Sequence, residues 1–359
     1  MTKNMKAAFL VQPGNMKVKE IPIPEPAPGW VRLKVKACGI CGSDMHYYKG
    51  NYPELESKEI IEKKVLNKIY GHEACGIIDK LGEGVTGLKA GDRVAVIPPV
   101  ACMKCEYCRV GLFELCRNLE IIGYEYPGGY AEYTTARVSN IYPVPDIISF
   151  EEATTLDSLA VGVHAVQLAK ITIADRVAIL GAGAIGLAIA AVALKAGARD
   201  TFITAKHRCQ RDLARKIGIK HILDPNEDNI VEKIIAQSES RGVDCVLESV
   251  GVSGKVIEFA LSILRKGGRI IFTGLFEERL SLSFWDILIK GATITASGAY
   301  GMWDLVPEFE LAVEMLSNGE FPAKDLVTHT FSLEKINEAF QQKLKPEERS
   351  KTIKVAIVF

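Results

Sequence analysis

Two periodicities divide the chain. Residues 1–150 carry short runs of apolar and β-type residues, KAAFLV, VRLKVKACGI, EACGIIDKL, DRVAVIP and GYAEYTT, separated by turn residues. Such runs predict β-strands with one buried face. Near Ser149, after the turn-rich PVPD, the pattern becomes helical in ISFEEATTLDSLAVGVHAVQLA, and from there strand-like and helical stretches alternate. Strands are expected at 176–180, 201–204, 221–223, 244–248, 269–273 and 293–296, with helices at 184–196, 208–217, 230–237 and 254–264. Six strands with helical crossovers predict an α/β Rossmann domain built on a doubly wound parallel sheet. A helix at about 306–318 and a final strand, KVAIVF, follow. Because that strand comes after the Rossmann block, it is expected to return to the first domain.

One segment, 177–194, runs 18 residues without a charge, near the lower limit for a membrane span. Gly181, Gly183 and Gly186 in its first half argue instead for a buried strand, a tight turn and a buried helix. Hydrophobic residues make up 48% of the 359 and charged residues 25%, with 44 basic side chains against 44 acidic. That balance excludes a polybasic nucleic-acid surface and a disordered chain. The N-terminal apolar run, residues 7–11, is too short for a secretory signal, so the expected location is the cytoplasm, away from membranes.

Three motifs carry chemistry. GAGAIG matches G-x-G-x-x-G at a strand-to-helix junction, Gly181, Gly183 and Gly186 being its glycines and Ala184 and Ile185 opening the helix. Gly181 permits the turn, Gly183 lets the backbone approach a pyrophosphate, and Gly186 allows close helix packing. Cys102, Cys105, Cys108 and Cys116 form C-x2-C-x2-C-x7-C. This spacing suits a closed, structural all-thiolate zinc site. The bacterial iron–sulfur pattern closes after three residues and continues with Pro; here the gap is seven and Arg117 follows. The third motif is dispersed: ACGICGSDMH holds Cys41, Ser43, Asp44 and His46, and GHEACG holds His72 and Glu73. Cys and His from two loops can hold a catalytic zinc if one coordination position stays open. By residue type alone, a loop cysteine and a hydrogen-bonded core histidine remain the alternative.

KACGICGSDMH, GHEACGIIDKLGEGVTGLKAGDRVAV, the four-cysteine loop, GGYAEY and GAGAIG occur in the order and spacing of the zinc-containing medium-chain dehydrogenase/reductase family, which the whole chain resembles. The similarity is greatest to the polyol branch, typified by sorbitol dehydrogenase, and extends to threonine dehydrogenase. The resemblance implies a GroES-like, mainly β catalytic domain at 1–155 and 298–359, with the Rossmann domain at 156–297. It implies catalytic-zinc ligands at Cys41 and His72, with Glu73 a ligand or close neighbour of the metal. Ser43 and His46 match positions that handle the substrate proton. The polyol branch places a further carboxylate at the helix before the Rossmann strand, where TLDSLAVGVHA offers Asp157. Two zinc ions per chain, one catalytic and one structural, follow from that resemblance. So do an alcohol or ketone substrate of polyol, cyclitol or sugar type and a homodimer or homotetramer.

Cofactor preference rests on a departure from the NAD pattern. An Asp or Glu about 20 residues beyond the glycines accepts hydrogen bonds from the ribose 2'-hydroxyl in NAD-binding units. Here the matching position is Ala205, followed by Lys206, His207 and Arg208, with Arg211 one turn on. A small residue with nearby cations suits a 2'-phosphate, so NADP is expected over NAD. Residues 51–70 separate the two zinc-ligand motifs, and eight of these twenty are charged. They are read as a solvated surface helix, with a flap over the substrate as the alternative.

Overall fold

The structure is a computed structural model describing residues 3–50, 64–251, 253–276, 280–303 and 305–359. Most of the 51–70 segment, residues 51–63, lies outside the described residues. The chain divides into two compact units, one of Met1–Asp157, Val313–Asn318 and Ala323–Phe359, the other of Ser158–Ala312 and Gly319–Pro322.

In the first unit, Trp30–Gly39 is the organising strand of a sheet with seven strands among the described residues. Its apolar positions Val31, Leu33, Val35 and Ala37 are buried, while Arg32, Lys34 and Lys36 between them are less so, as alternation requires. Glu73–Leu81 and Tyr133–Arg137 pair with it antiparallel, and so does the last strand, Lys354–Val358. The chain's end thus lies beside the strand that leads to Cys41. Gly39 faces Glu73 on one side and Ala356 on the other. Leu10, Leu33, Ile78, Tyr130 and Phe340 belong to the buried core beneath the sheet.

The second unit holds six parallel strands, Arg176–Leu180, Asp200–Thr204, His221–Leu223, Val243–Glu248, Leu264–Phe272 and Thr293–Ala296. Their spatial order, third, second, first, fourth, fifth, sixth, is the doubly wound arrangement. Arg176–Leu180 and Val243–Glu248 are buried along their whole length, which explains their apolar centres, Val177–Leu180 and Cys245–Leu247, while Arg176, Asp244 and Glu248 are buried charged residues near their ends. The uncharged run at 177–194 is divided between the Arg176–Leu180 strand and the Ala184–Lys195 helix. No helix among the described residues is long and apolar enough to cross a membrane.

Several elements differ from the sequence expectation. The helical pattern from Ile148 is broken into Phe150–Ala153 and Leu156–Ala169. At the break, the Thr154 and Thr155 hydroxyls donate to the carbonyls of Glu151 and Glu152, a local bond that competes with helix propagation. The GYAEYTT strand begins only at Tyr133, and Gly129 at the start of the run and Gly128 before it serve close packing instead. A Cβ on Gly128 would lie 2.5 Å from the carbonyl oxygens of Tyr70 and Gly71. Two hairpins were not expected as such, Asn4–Gln12 with Asn15–Pro22 and Met302–Trp303 with Val306–Pro307. The second delays the following helix to Glu308.

Candidate active site and metal centres

Cys41 caps the helix Gly42–Lys49, and its backbone N–H donates to Asp44 Oδ2 at 3.0 Å. Tyr130 donates its hydroxyl to the same oxygen at 2.8 Å. Asp44 is thereby fixed and buried, with Oδ1 lying 3.7 Å from His72 Nδ1. Ser43 and His46, three residues apart on this helix, are half-buried.

The preceding turn constrains His72 tightly. Gly71 has φ +92°, and a Cβ there would meet the Tyr130 ring at 2.7 Å and Cys38 Sγ at 2.8 Å. His72 itself is buried and stacks on Tyr124, with ring centroids 5.6 Å apart. Among the described residues its Nδ1 has no hydrogen-bond partner. Asp157, in the first turn of Leu156–Ala169, places Oδ2 4.0 Å from His72 Nε2. Ligand atoms of Cys41, His72 and Glu73 lie within 4.8 Å of one another.

These donors fit a divalent cation. Burial opposes charge on His72, yet the negative charges of Asp44 and Cys41 outweigh it and push the imidazole well up from its ordinary value. A field that holds a proton on a buried imidazole equally favours a bound cation. Among the described residues Glu73 Oε2 likewise has no hydrogen-bond partner though buried, a costly state for a carboxylate oxygen that a metal would relieve.

The four-cysteine loop forms a second centre. Cys102 and Cys108 sulfurs are 3.9 Å apart, those of Cys105 and Cys108 3.5 Å, and all four, with Cys116, lie within 4.8 Å of one another. Tetrahedral ligands at zinc–sulfur bonds of about 2.3 Å would be roughly 3.8 Å apart, which this spacing meets. Backbone N–H groups of Cys108 and Arg117 bring the Cys105 thiol down to about 6, so it favours the thiolate, whereas burial pushes Cys108 up to about 12. None of the cysteines is in a disulfide.

The glycine loop lies in the other unit. Gly181 has φ +97°, and its N–H donates to Thr204 Oγ1 at 2.8 Å. A Cβ on Gly186 would stand 1.9 Å from the Gly181 carbonyl oxygen, whereas one on Gly183 would meet nothing within 4 Å. Gly183 is exposed, and Ala184 and Ile185 behind it begin the helix, whose first N–H groups have no acceptor within it. Ala205 is buried at the end of the second strand, with Lys206 and Arg208 exposed beyond it. Arg211 turns back to the Ala205 carbonyl at 3.3 Å and pairs with Asp224 at 3.0 Å. Its charge is therefore already partnered, unlike the reading of Arg211 as one cation of an open cluster.

Sequence reasoning gave no role to Asp44, Tyr124 or Lys354, which contact the Cys41–His72–Glu73 group, or to Tyr130, which holds Asp44. For Asp44 a signal existed: an acid three residues after a cap residue completes a capping box.

Two family models match the chain, the alcohol dehydrogenase GroES-like domain over residues 27–146 and the zinc-binding dehydrogenase over residues 184–318. Sorbitol dehydrogenase of Bacillus subtilis is 32% identical over 95% of this chain and 94% of its own length. The chain belongs to the zinc-containing medium-chain dehydrogenase/reductase family. It is an NAD(P)-linked dehydrogenase acting on alcohols or polyols. Among solved structures, a putative zinc-binding dehydrogenase from Sinorhizobium meliloti bound to NADP is 28% identical, with a TM-score of 0.87 over 99% of this chain and all of its own. A protein described as a short chain alcohol dehydrogenase from Escherichia coli, complexed with NADH, is 26% identical with a TM-score of 0.86 over 99% of both chains.

In this family setting the glycine loop yields a direct test. Gly186→Ala would force a Cβ against the Gly181 carbonyl, and overpacking of this kind costs about 1–3 kcal/mol. If the loop carries the loss, nicotinamide dinucleotide affinity is expected to fall roughly five- to a hundredfold by fluorescence titration. An unchanged Kd would remove the loop from the cofactor site.

Proposed function

We propose that the protein reversibly oxidises a secondary alcohol of polyol, cyclitol or sugar type to a ketone, with hydride passing to NADP in preference to NAD. The observation that carries this reading is the convergence of Cys41, His72 and Glu73, with Asp157 beside His72. Cys41 and His72 would hold a catalytic zinc with Glu73 or Asp157 completing the shell, so that one position stays open for the substrate oxygen, and Cys102, Cys105, Cys108 and Cys116 would hold a structural one. Bound in place, zinc supplies Lewis acidity to the substrate oxygen and nicotinamide supplies the hydride acceptor.

The protein's own groups do the rest. Asp44, pinned by Tyr130 and the Cys41 N–H, faces His72 Nδ1 and orients the imidazole. Ser43 and His46, on the helix that Cys41 caps, carry the hydroxyl proton outward as hydride leaves carbon. The Gly181–Gly186 turn receives the pyrophosphate at the helix N-terminus. Support for a polyol-type substrate comes from the sorbitol dehydrogenase of Bacillus subtilis.

The preference for NADP is supported by the absence of a carboxylate at Ala205 and by the exposure of Lys206 and of Arg208, whose side chain is 90% exposed. Arg211 is held partly buried by Asp224 at 3.0 Å, whereas Lys206 is exposed and Arg208 makes only a longer, exposed contact with Asp212 at 3.6 Å, so Lys206 and Arg208 are the groups assigned to the 2'-phosphate. Each charge-assisted hydrogen bond contributes about 1.5–3 kcal/mol. One such bond gives a preference of about tenfold to somewhat over a hundredfold. Ala205→Asp with Lys206→Ile is expected to reverse the preference, chiefly through KM for the cofactor. Melting is followed in parallel, since Ala205 is fully buried. A wild-type kcat/KM equal or better with NAD would overturn the cofactor assignment, and a panel of polyols, cyclitols, amino alcohols and simple alcohols tests the substrate class.

A further inference from the structure

Glu73 is gripped from two sides. One oxygen, Oε1, accepts a hydrogen bond from the ammonium of Lys354, and both side chains are buried. The other, Oε2, lies so close to Gly39 that a Cβ there would stand 2.0 Å from it and 2.9 Å from Lys354 Cε. The sheet creates this arrangement. Gly39 is registered opposite Glu73 on one flank and Ala356 on the other, and Lys354 lies two residues before Ala356 on the terminal strand. Only a residue without a side chain leaves room for the carboxylate and the lysine stem to meet across the strand between them.

A buried lysine is expensive unless paired, and this one is paired with a carboxylate that belongs to the candidate metal cluster. A second lysine from the same C-terminal segment, Lys343, donates to the Ile40 carbonyl at 2.9 Å, just before Cys41. It touches the backbone of that turn and leaves Glu73 to Lys354.

We propose that Lys354 is a positioning residue for the metal. Its ammonium holds Oε1 so that the remaining oxygen of Glu73 is presented, already desolvated, toward Cys41 and His72. The inference rests on the zinc reading of that cluster and adds the group that orients its carboxylate. Outer partners of this kind typically change metal affinity about 10- to 100-fold when removed. Pure electrostatics has the opposite sign: deleting a positive charge beside a cation site should tighten binding.

The test is zinc release from the purified full-length protein to a chromogenic chelator, with Cys41→Ser identifying the phase that belongs to this site. Lys354→Met is expected to speed that phase about 10- to 100-fold and to change the visible spectrum of the cobalt-substituted protein. Lys343→Met, which removes a charge from the neighbourhood but leaves Glu73 held, should leave release unchanged or slower. Gly39→Ala keeps the lysine and displaces the carboxylate, so it should also speed release, and it carries the test if Lys354→Met does not fold. Slower or unchanged release in both Lys354→Met and Gly39→Ala, or in Gly39→Ala alone where the lysine variant does not fold, overturns the proposal. A wild-type protein lacking the Cys41-dependent phase overturns the zinc reading itself.

Discussion

Cys41→Ser or His72→Ala is expected to remove one of two zinc ions per chain and to lower turnover by at least about a thousandfold, while the fold persists. The size follows from what the metal supplies. Lewis-acid stabilisation of a developing oxyanion amounts to several kcal/mol. At 1.36 kcal/mol per factor of ten, about 4 kcal/mol gives that loss. The fold should survive because the sheet core, Leu33, Val35, Ile78 and Val94 among others, is packed without any contribution from Cys41. Serine can also accept the capping bonds that cysteine accepts at this helix start. Zinc analysis, circular dichroism and kcat on one preparation read all three outcomes. A single zinc per chain in the wild type, retained in the Cys41 variant, would sink the assignment.

The contrast between what the chain announces and what it conceals is clearest at this site. Cys41, His72 and Glu73 stand in short motifs, and their strands and turns could be read from local alternation and glycines. The Rossmann strands were equally legible, because strands buried on both faces carry apolar runs such as Val177–Leu180. Lys354 was not. It lies 281 residues from Glu73, and only the return of the terminal strand to Trp30–Gly39 brings the two together. No local pattern encodes such a pair; the one trace is a lone lysine opening the apolar run VAIV. For Arg211 the structure adds a partner that the sequence did not show. Sequence counts it with Lys206 and Arg208, but the return of the chain through His221–Leu223 places Asp224 beside it and spends its charge on a structural pair. The split at Thr154 and Thr155 was hidden because both threonines fit a helical apolar pattern, and only their hydroxyl bonds show that the helix stops and restarts.

Cys105→Ser is expected to act on stability where Cys41→Ser acts on turnover. The loop from Cys102 to Cys116 has almost no apolar core: Ala101, Cys108 and Cys116 are its buried members, while Met103, Val110 and Leu115 are more than half exposed. Two short 3-10 turns, Cys108–Val110 and Phe113–Leu115, are its regular structure. Neither can hold the loop, since short helical turns are marginal in water. What remains is the four-sulfur centre, and thiolate zinc contributes roughly 10–16 kcal/mol of apparent binding energy in small zinc-finger peptides. Here part of that energy would be lost as local opening of the loop and part as global destabilisation. The variant should therefore retain the Cys41-site zinc and measurable turnover at low temperature. Its loop should become a preferred site of limited proteolysis, and its melting temperature should fall by about 5 °C or more, corresponding to about 2 kcal/mol for a domain of this size. Two zinc ions per chain in the Cys105 variant, with proteolysis and melting unchanged, would show that the four cysteines hold no metal on which the fold depends.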